Sequence, residues 1–372
     1  MKFIWHAFCA LLLALSAQLG RADAGDVTET LRIAWESFWH SSGYPRSVFK
    51  WVGPIRVKFS GDSVNRHKEF ALRQLQSVAE IAGIEVIEVA NDDASANFEV
   101  EFFANMNSLP ANRPCDSNYS GPGGTIVRAR IRANEPRVWR CMLHESMHTM
   151  GFSGHPHANS VLTYFGRPSK LTEADLLILR SVYSSDIKPG MFPFLALAII
   201  ARRLVETIPP GAERAEAEQA AQAFLRNTVK QMEDFAGGSG EPPVILLRSS
   251  RATSPGVARG RTEMQYYLGM AYSFGHIVEV DKKKGVEWLT KAAQADRAAA
   301  QYFLGEAYFH GRGIDADPVE GYKWYALAAQ RGVNPAKKAL EVLETRLLPE
   351  QISEGKTRAA EWRQTKSPDG TK

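Results

Sequence analysis

The stretch CMLHESMHTMGFSGHPH, Cys141 to His157, holds four of the chain's nine histidines and an acid within seventeen residues. On a helix, His144 and His148 stand four residues apart and project from one face, so two imidazoles can reach a single metal ion. Glu145 flanks that face and is suited to take a proton from water on the metal without being a ligand itself. Two histidines do not make a tight site, because catalytic zinc usually takes three protein ligands plus water. The third donor is therefore decisive. His155 is the leading candidate, His157 the second, and Glu173 on the following helix a distant third. The rival reading is a helix with two surface or hydrogen-bonded histidines.

Upstream, DVTETLRIAWESFW spaces Val27, Leu31, Trp35 and Phe38 at helical intervals. GPIRVKFSG alternates Ile55, Val57 and Phe59 with Arg56 and Lys58, which marks a half-buried strand. A long helix follows, with Asp62 or Ser63 as cap, Ala71, Leu75, Val78 and Ala82 as its stripe, and Gly83 as its stop. Three more strands are expected, at IEVIEV from Ile84, NFEVEFF from Asn97 and TIVRARIR from Thr125. Asn134 is expected to cap the motif helix, with Pro136 in its first turn.

Downstream, Thr172 with Asp175 three residues on reads as the capping pair of a helix over LTEADLLILRSVY. The apolar run Phe192–Ala201 is too short for a membrane span and reads as a core helix. A long helix over Gly211–Phe235 gives way to GGSGEPP, which reads as a flexible linker. Beyond it the chain repeats itself. Leu268, Gly269, Ala271, Tyr272, Gly275, Asp281, Gly285, Trp288, Ala292 and Ala293 recur 36 residues later, as Leu304, Gly305, Ala307, Tyr308, Gly311, Asp317, Gly321, Trp324, Ala328 and Ala329. A period of that length with paired helices is the mark of a helical solenoid.

The 372 residues imply more than one core. The net charge of +4 is spread along the chain without a basic block, which sets nucleic acid aside. Lys2, the apolar run Phe3–Leu15 and Ala22-Asp23-Ala24 read as a cleavable secretory signal, with an uncleaved N-terminal anchor as the alternative. Export would remove Cys9 and leave Cys115 and Cys141 as an even pair in an oxidising compartment. A disulfide between them is expected. Two free thiols, or Cys141 as a metal ligand, are the other readings.

Two resemblances follow from these residues. LGxAYxxG, then Asp, Trp and paired Ala, over about Glu263 to Gly332, resembles the Sel-like repeats, relatives of the tetratricopeptide repeat. HESMHTMG, His155, the Ser160–Tyr164 turn and LTEADLLILRSVY resemble the metzincin zinc peptidases in order and spacing. More specifically, about Trp51 to Arg203 is similar to a proteobacterial family of secreted domains of unknown function. Two departures stand out: the family's third-ligand position is Gly154, with His155 one residue later, and Leu162 replaces the turn methionine.

The resemblances imply an α+β zincin-like metallopeptidase domain followed by an all-α solenoid of helix-turn-helix repeats. The expected boundaries are 1–24 for the signal peptide, 25–205 for the zincin-like domain, 206–262 for a helix and linker, and 263–372 for the repeats and their cap. They also imply Zn2+ held by His144, His148 and His155, with Glu145 as base and Tyr164 steadying the oxyanion, unless Tyr164 is a core residue. The implied protein is periplasmic or secreted, acts on a peptide or protein substrate, and binds a protein partner on its repeats. The alternative is a non-catalytic zincin-like scaffold that serves as an envelope interaction module.

Overall fold

The computed structural model describes residues 24–40, 44–61, 64–104, 115–134, 138–157, 159–163, 168–243 and 254–366. The expected signal peptide, Asp62, Ser63, Pro136 and Tyr164 lie outside them. Helix α1 (Ala24–Ser37) leads into strands β1 (Trp39–His40) and β2 (Tyr44–Pro45), which pair antiparallel. The chain divides into two compact units. Ser47–Phe224 joins the segment ending at Phe38 in the first, and Trp39–Arg46 joins Leu225 onward in the second.

The first unit is α+β. Its strands are β3 (Lys50–Trp51), β4 (Ile55–Gly61), β5 (Val86–Glu88), β6 (Phe98–Phe103), β7 (Cys115–Ser120), β8 (Thr125–Ile126) and β9 (Arg128–Asn134). Its helices after α1 are α2 (Val64–Ile81), α3 (Val138–Thr149), α4 (Glu173–Val182) and α5 (Pro193–Glu206). Five strands form one sheet in the order β5-β4-β6-β9-β7. β5, β4, β6 and β9 run parallel, and β7 lies antiparallel on β9 at the edge.

Register turns the period-2 pattern into one continuous apolar face. Phe59 pairs with Val100 and Val100 with Ile131, and all three are buried, as are Val57, Phe98 and Ala129 in the next row. Burying a side chain of this size contributes roughly 1.5–3 kcal/mol. The opposite face carries matched charges, with Lys58 paired to Glu99 at 3.5 Å and Arg132 to Asp116. The sheet is therefore covered on one side and solvated on the other. α2 buries Ala71, Leu75 and Val78 as its stripe predicts and ends at Gly83, whose φ is +68°.

One strand expectation needs correction. TIVRARIR is not one strand. Val127 interrupts it, so that β8 pairs with β3 while β9 enters the main sheet as an interior strand. Among the described residues the edge of the sheet near the motif helix is β7, whose sequence CDSNYS has no apolar alternation to announce it. Asn134 likewise ends β9, and residues 135–137, between it and α3, lie outside the described residues.

In the second unit, α6 (Ala212–Gly237) enters from Leu225, and α7 (Ser254–Phe274), α8 (Lys282–Gln294), α9 (Ala298–His310), α10 (Pro318–Gln330), α11 (Asn334–Glu344) and α12 (Pro349–Lys366) follow. α7 with α8 and α9 with α10 are the two helix-turn-helix repeats. The repeated glycines sit where helices cross: a Cβ on Gly269 would meet Leu289 Cγ at 2.7 Å, and one on Gly305 would meet Tyr325 Cδ1 at 2.9 Å. The repeated aspartates are N-caps, Asp281 accepting from Lys284 N and Asp317 from Glu320 N, both at 2.9 Å. Gly311 closes α9 in the left-handed conformation at φ +64°. The expected cap after the repeats takes the form of two helices, α11 and α12. No helix among the described residues is long and apolar enough to cross a membrane.

Candidate metal centre

The motif forms the second half of α3, which lies along β7. Positions four apart on the helix meet positions two apart on the strand. Cys141 is disulfide-bonded to Cys115, their Cα atoms 6.1 Å apart, and Ser117 Oγ donates to Glu145 Oε2 at 2.6 Å. Tyr119, the next residue on that face, places its hydroxyl 2.6 Å from Ser153 Oγ. The bonded Cys141 is thereby removed as a metal ligand.

α3 ends at Thr149, whose carbonyl accepts from Trp51 Nε1 at 3.0 Å. The chain then turns at Gly151, whose φ of +99° and a Cβ position 1.9 Å from Phe49 O leave room for glycine alone. The N–H groups of Ser153 and Gly154 both donate to the Ser37 carbonyl, at 3.0 and 2.9 Å. This turn leads directly into His155.

Three imidazoles converge as a result. His148 Nε2 lies 3.0 Å from His144 Nε2 and 3.1 Å from His155 Nε2, and the rings pack at centroid distances of 4.6 to 5.2 Å. His144 Nδ1 is 2.7 Å from Val161 O and His148 Nδ1 is 2.6 Å from Phe152 O. A carbonyl only accepts, so both Nδ1 atoms carry a proton, and in the neutral ring that leaves the Nε2 lone pair pointing inward. Two lone pairs at this distance repel unless a cation lies between them.

The donor set fits zinc. Tetrahedral coordination with Zn–N bonds near 2.05 Å spaces the nitrogens about 3.3 Å apart, close to the separations seen here. Donation of the outer ring nitrogen to a carbonyl is the usual way a ligating histidine is oriented. His144 and Glu145 are buried, at 3% and 7% exposure, which keeps both imidazole and carboxylate out of bulk water.

Among the described residues, His144, His148 and His155 form the one group of three possible ligands whose donor atoms lie within 4.8 Å of one another. The structure leaves His157 and Glu173 outside it. His157 is exposed and its backbone N–H donates to Glu36 Oε2 at 2.9 Å, while Glu173 is exposed in the first turn of α4. Leu162 is buried at the position of the expected turn methionine. Sequence reasoning missed Ser117, for which only the i, i+2 spacing from Cys115 gives a signal. It also missed Ser37, which acts through its carbonyl and so leaves no trace in residue type.

The family match with known proteins falls in the second unit. The Sel1 repeat family matches residues 262–296 and 298–333, so the chain carries two Sel1 repeats there. A Sel1 repeat protein from Oxalobacter formigenes is 28% identical over 34% of this chain and 93% of that one, with a TM-score of 0.23. The protective antigen c5321 of uropathogenic Escherichia coli, which displays an SLR fold, is 17% identical over 62% of this chain and 54% of that one, with a TM-score of 0.29. No curated protein matches the chain.

Proposed function

We propose that the first unit is a zincin-like zinc site built for hydrolysis of peptide bonds, and that the Sel1 repeats hold a protein partner or the substrate. The convergence of three Nε2 atoms at 3.0 and 3.1 Å, with two of the rings fixed from behind by carbonyls, carries this reading. His144, His148 and His155 would hold a zinc ion, which would supply Lewis acidity at the site. Glu145 would take the proton of the attacking water and deliver it to the leaving amine as the C–N bond breaks. Ser117 fixes one oxygen of that carboxylate through its 2.6 Å bond. β7, the sheet edge beside α3, is the strand to which an extended peptide can add.

The proposed protein is exported, its leader ending near Ala24, and works in the periplasm or outside the cell. The zincin-like unit would span 25–205 and the repeats with their cap 263–372, with 206–262 between them. Solenoid repeats usually offer extended binding surfaces. A groove lined by Tyr302, Phe309, Val342 and Arg346 supports a partner on this one.

A second reading is favoured by the Sel1 match: a non-catalytic zincin-like scaffold in which the repeats do the work. Two measurements separate the readings. Metal analysis of the purified chain is expected to give about one zinc per chain, lost in a His144→Ala, His148→Ala double variant. Cleavage of a mixed peptide library by the native chain but not by Glu145→Gln supports the hydrolase, and equal background in both leaves the scaffold.

A further inference from the structure

We propose that Asp175 is a positioning residue for His144, holding the turn whose carbonyl fixes that imidazole. The proposal rests on the metal-site reading of the first unit. Asp175 is 1% exposed, and its carboxylate does more than cap a helix. Oδ2 accepts from Thr172 N at 2.9 Å while Asp175 N donates to Thr172 Oγ1 at 3.2 Å, the reciprocal cap of α4, and Oδ2 also accepts from Thr172 Oγ1 at 2.8 Å. The same oxygen accepts from Val161 N at 3.1 Å, and Oδ1 accepts from Ser160 Oγ at 2.6 Å. Ser160 Oγ in turn accepts from Leu162 N at 3.1 Å.

One carboxylate thus holds the 160–162 turn from both sides, and the carbonyl of Val161 leaves that turn to meet His144 Nδ1 at 2.7 Å. The linkage runs from helix α4 through the buried Asp175 carboxylate, the Ser160 hydroxyl and the Val161–Leu162 peptide to a ring nitrogen. Asp175 reaches the peptide on which His144 leans through Ser160, whose hydroxyl donates to Oδ1 and accepts from Leu162 N–H, the amide partner of the Val161 carbonyl, so the bonds of this chain reinforce one another. An N-cap alone needs only the Thr172 contacts. The Ser160 and Val161 contacts have no part in capping.

Asp175→Asn turns an N–H2 group toward donors that now meet an oxygen, and Ser160→Ala removes the second strut. Both variants are expected to bind Co2+ about tenfold more weakly than the native chain, the loss typical of an outer-shell contact, with an altered cobalt visible spectrum. In the metal-free chain with 15N-labelled histidine, His144 is expected to be held as the Nδ1–H form, and to exchange between both ring forms in the two variants. Lys50→Met is the control. Lys50 Nζ donates to Val182 O, Ser184 O and Ile187 O at the far end of α4, so its loss lowers the melting temperature without touching the turn. It should leave cobalt affinity and the His144 ring form unchanged.

Native cobalt affinity together with a fixed Nδ1–H in Asp175→Asn overturns the proposal, as does an equal loss in Lys50→Met. A native chain that takes up no cobalt overturns the metal-site reading instead, and the ring-form measurement on the metal-free chain then decides whether Asp175 holds His144.

Discussion

Gly154 donates its N–H to the carbonyl of Ser37 at 2.9 Å, so the last residue of α1 is bonded to the residue just before the third histidine. Gly151 makes that approach possible. Its φ of +99° and the 1.9 Å between a Cβ and Phe49 O mean that Gly151→Ala must move the backbone or strain it. Left-handed strain of this kind costs about 1–3 kcal/mol. Gly151→Ala is therefore expected to lower the melting temperature and also weaken zinc binding, since the displaced turn carries His155. Circular dichroism melts and a zinc competition titration check both, and unchanged values in each would show that the turn is not what places His155.

His155 and His157 are two residues apart and chemically alike, yet only the first turns its Nε2 to His148, at 3.1 Å. His155→Ala is expected to lose most of the bound zinc, leaving a two-histidine remnant, while His157→Ala retains about one equivalent. Elemental analysis after dialysis at equal protein concentration measures this directly. The reverse pattern would place the third ligand two residues further along the chain, at His157.

The Cys115–Cys141 bond joins residues 26 apart in sequence and ties β7 to α3 one helical turn before Glu145. On the chain-entropy model its removal costs about 3.5 kcal/mol. A Cys115→Ala, Cys141→Ala variant should unfold at lower denaturant and, because β7 carries Ser117, should lose hydrolytic activity faster than it loses zinc. If zinc and activity fall in parallel, the bond serves stability alone.

The helices and interior strands of the first unit were legible because their burial follows simple periods. Phe98, Val100 and Phe102 alternate inward on β6, and Ala71, Leu75 and Val78 recur at helical spacing on α2. β7 was not legible, because an edge strand that packs through a disulfide, a hydroxyl and a tyrosine needs no apolar alternation. The site was legible as far as its side chains: His144, Glu145, His148 and the leading third candidate all stand in one short segment. What holds them is carried by carbonyls of Ser37, Phe152 and Val161, and every residue has a carbonyl. For the same reason the one-residue shift of His155 could not be weighed from spacing. Whether a loop absorbs it depends on bonds made by residues more than a hundred positions away.

In the repeats, the shared glycines make a direct prediction. Gly305 lets α9 lie against Tyr325 of α10, and a Cβ there would stand 2.9 Å from the ring. Gly305→Val forces the two helices apart and is expected to cost about 1–3 kcal/mol as overpacking. Partner capture by the repeats should fall with it. A variant of native stability would mean that the ring of Tyr325 swings aside freely.

Buried tyrosines give the second unit a defined response to alkali. Burial pushes the Tyr266 hydroxyl up to about 12, and burial together with the acceptors Glu344 and Glu306 holds Tyr322 and Tyr325 above the usual 10.0. Tyr325 donates to Glu306 at 2.5 Å, so ionising it sets two anions against each other. The folded values lie above the unfolded ones, so these groups contribute their full stability below pH 10. That contribution is lost as pH rises through the folded values, because the unfolded chain releases its protons first. In the first unit Lys50 acts with the opposite sign, since burial lowers its value and its penalty fades as pH climbs toward 10.5. Three tyrosines outweigh one lysine, and the denaturation midpoint is expected to fall between pH 9 and pH 11, by less in Tyr325→Phe. Tyrosinate absorbance should lag behind that of the unfolded chain over the same range. A flat midpoint with all tyrosines ionising at the usual value would mean that these hydroxyls reach water in the folded protein.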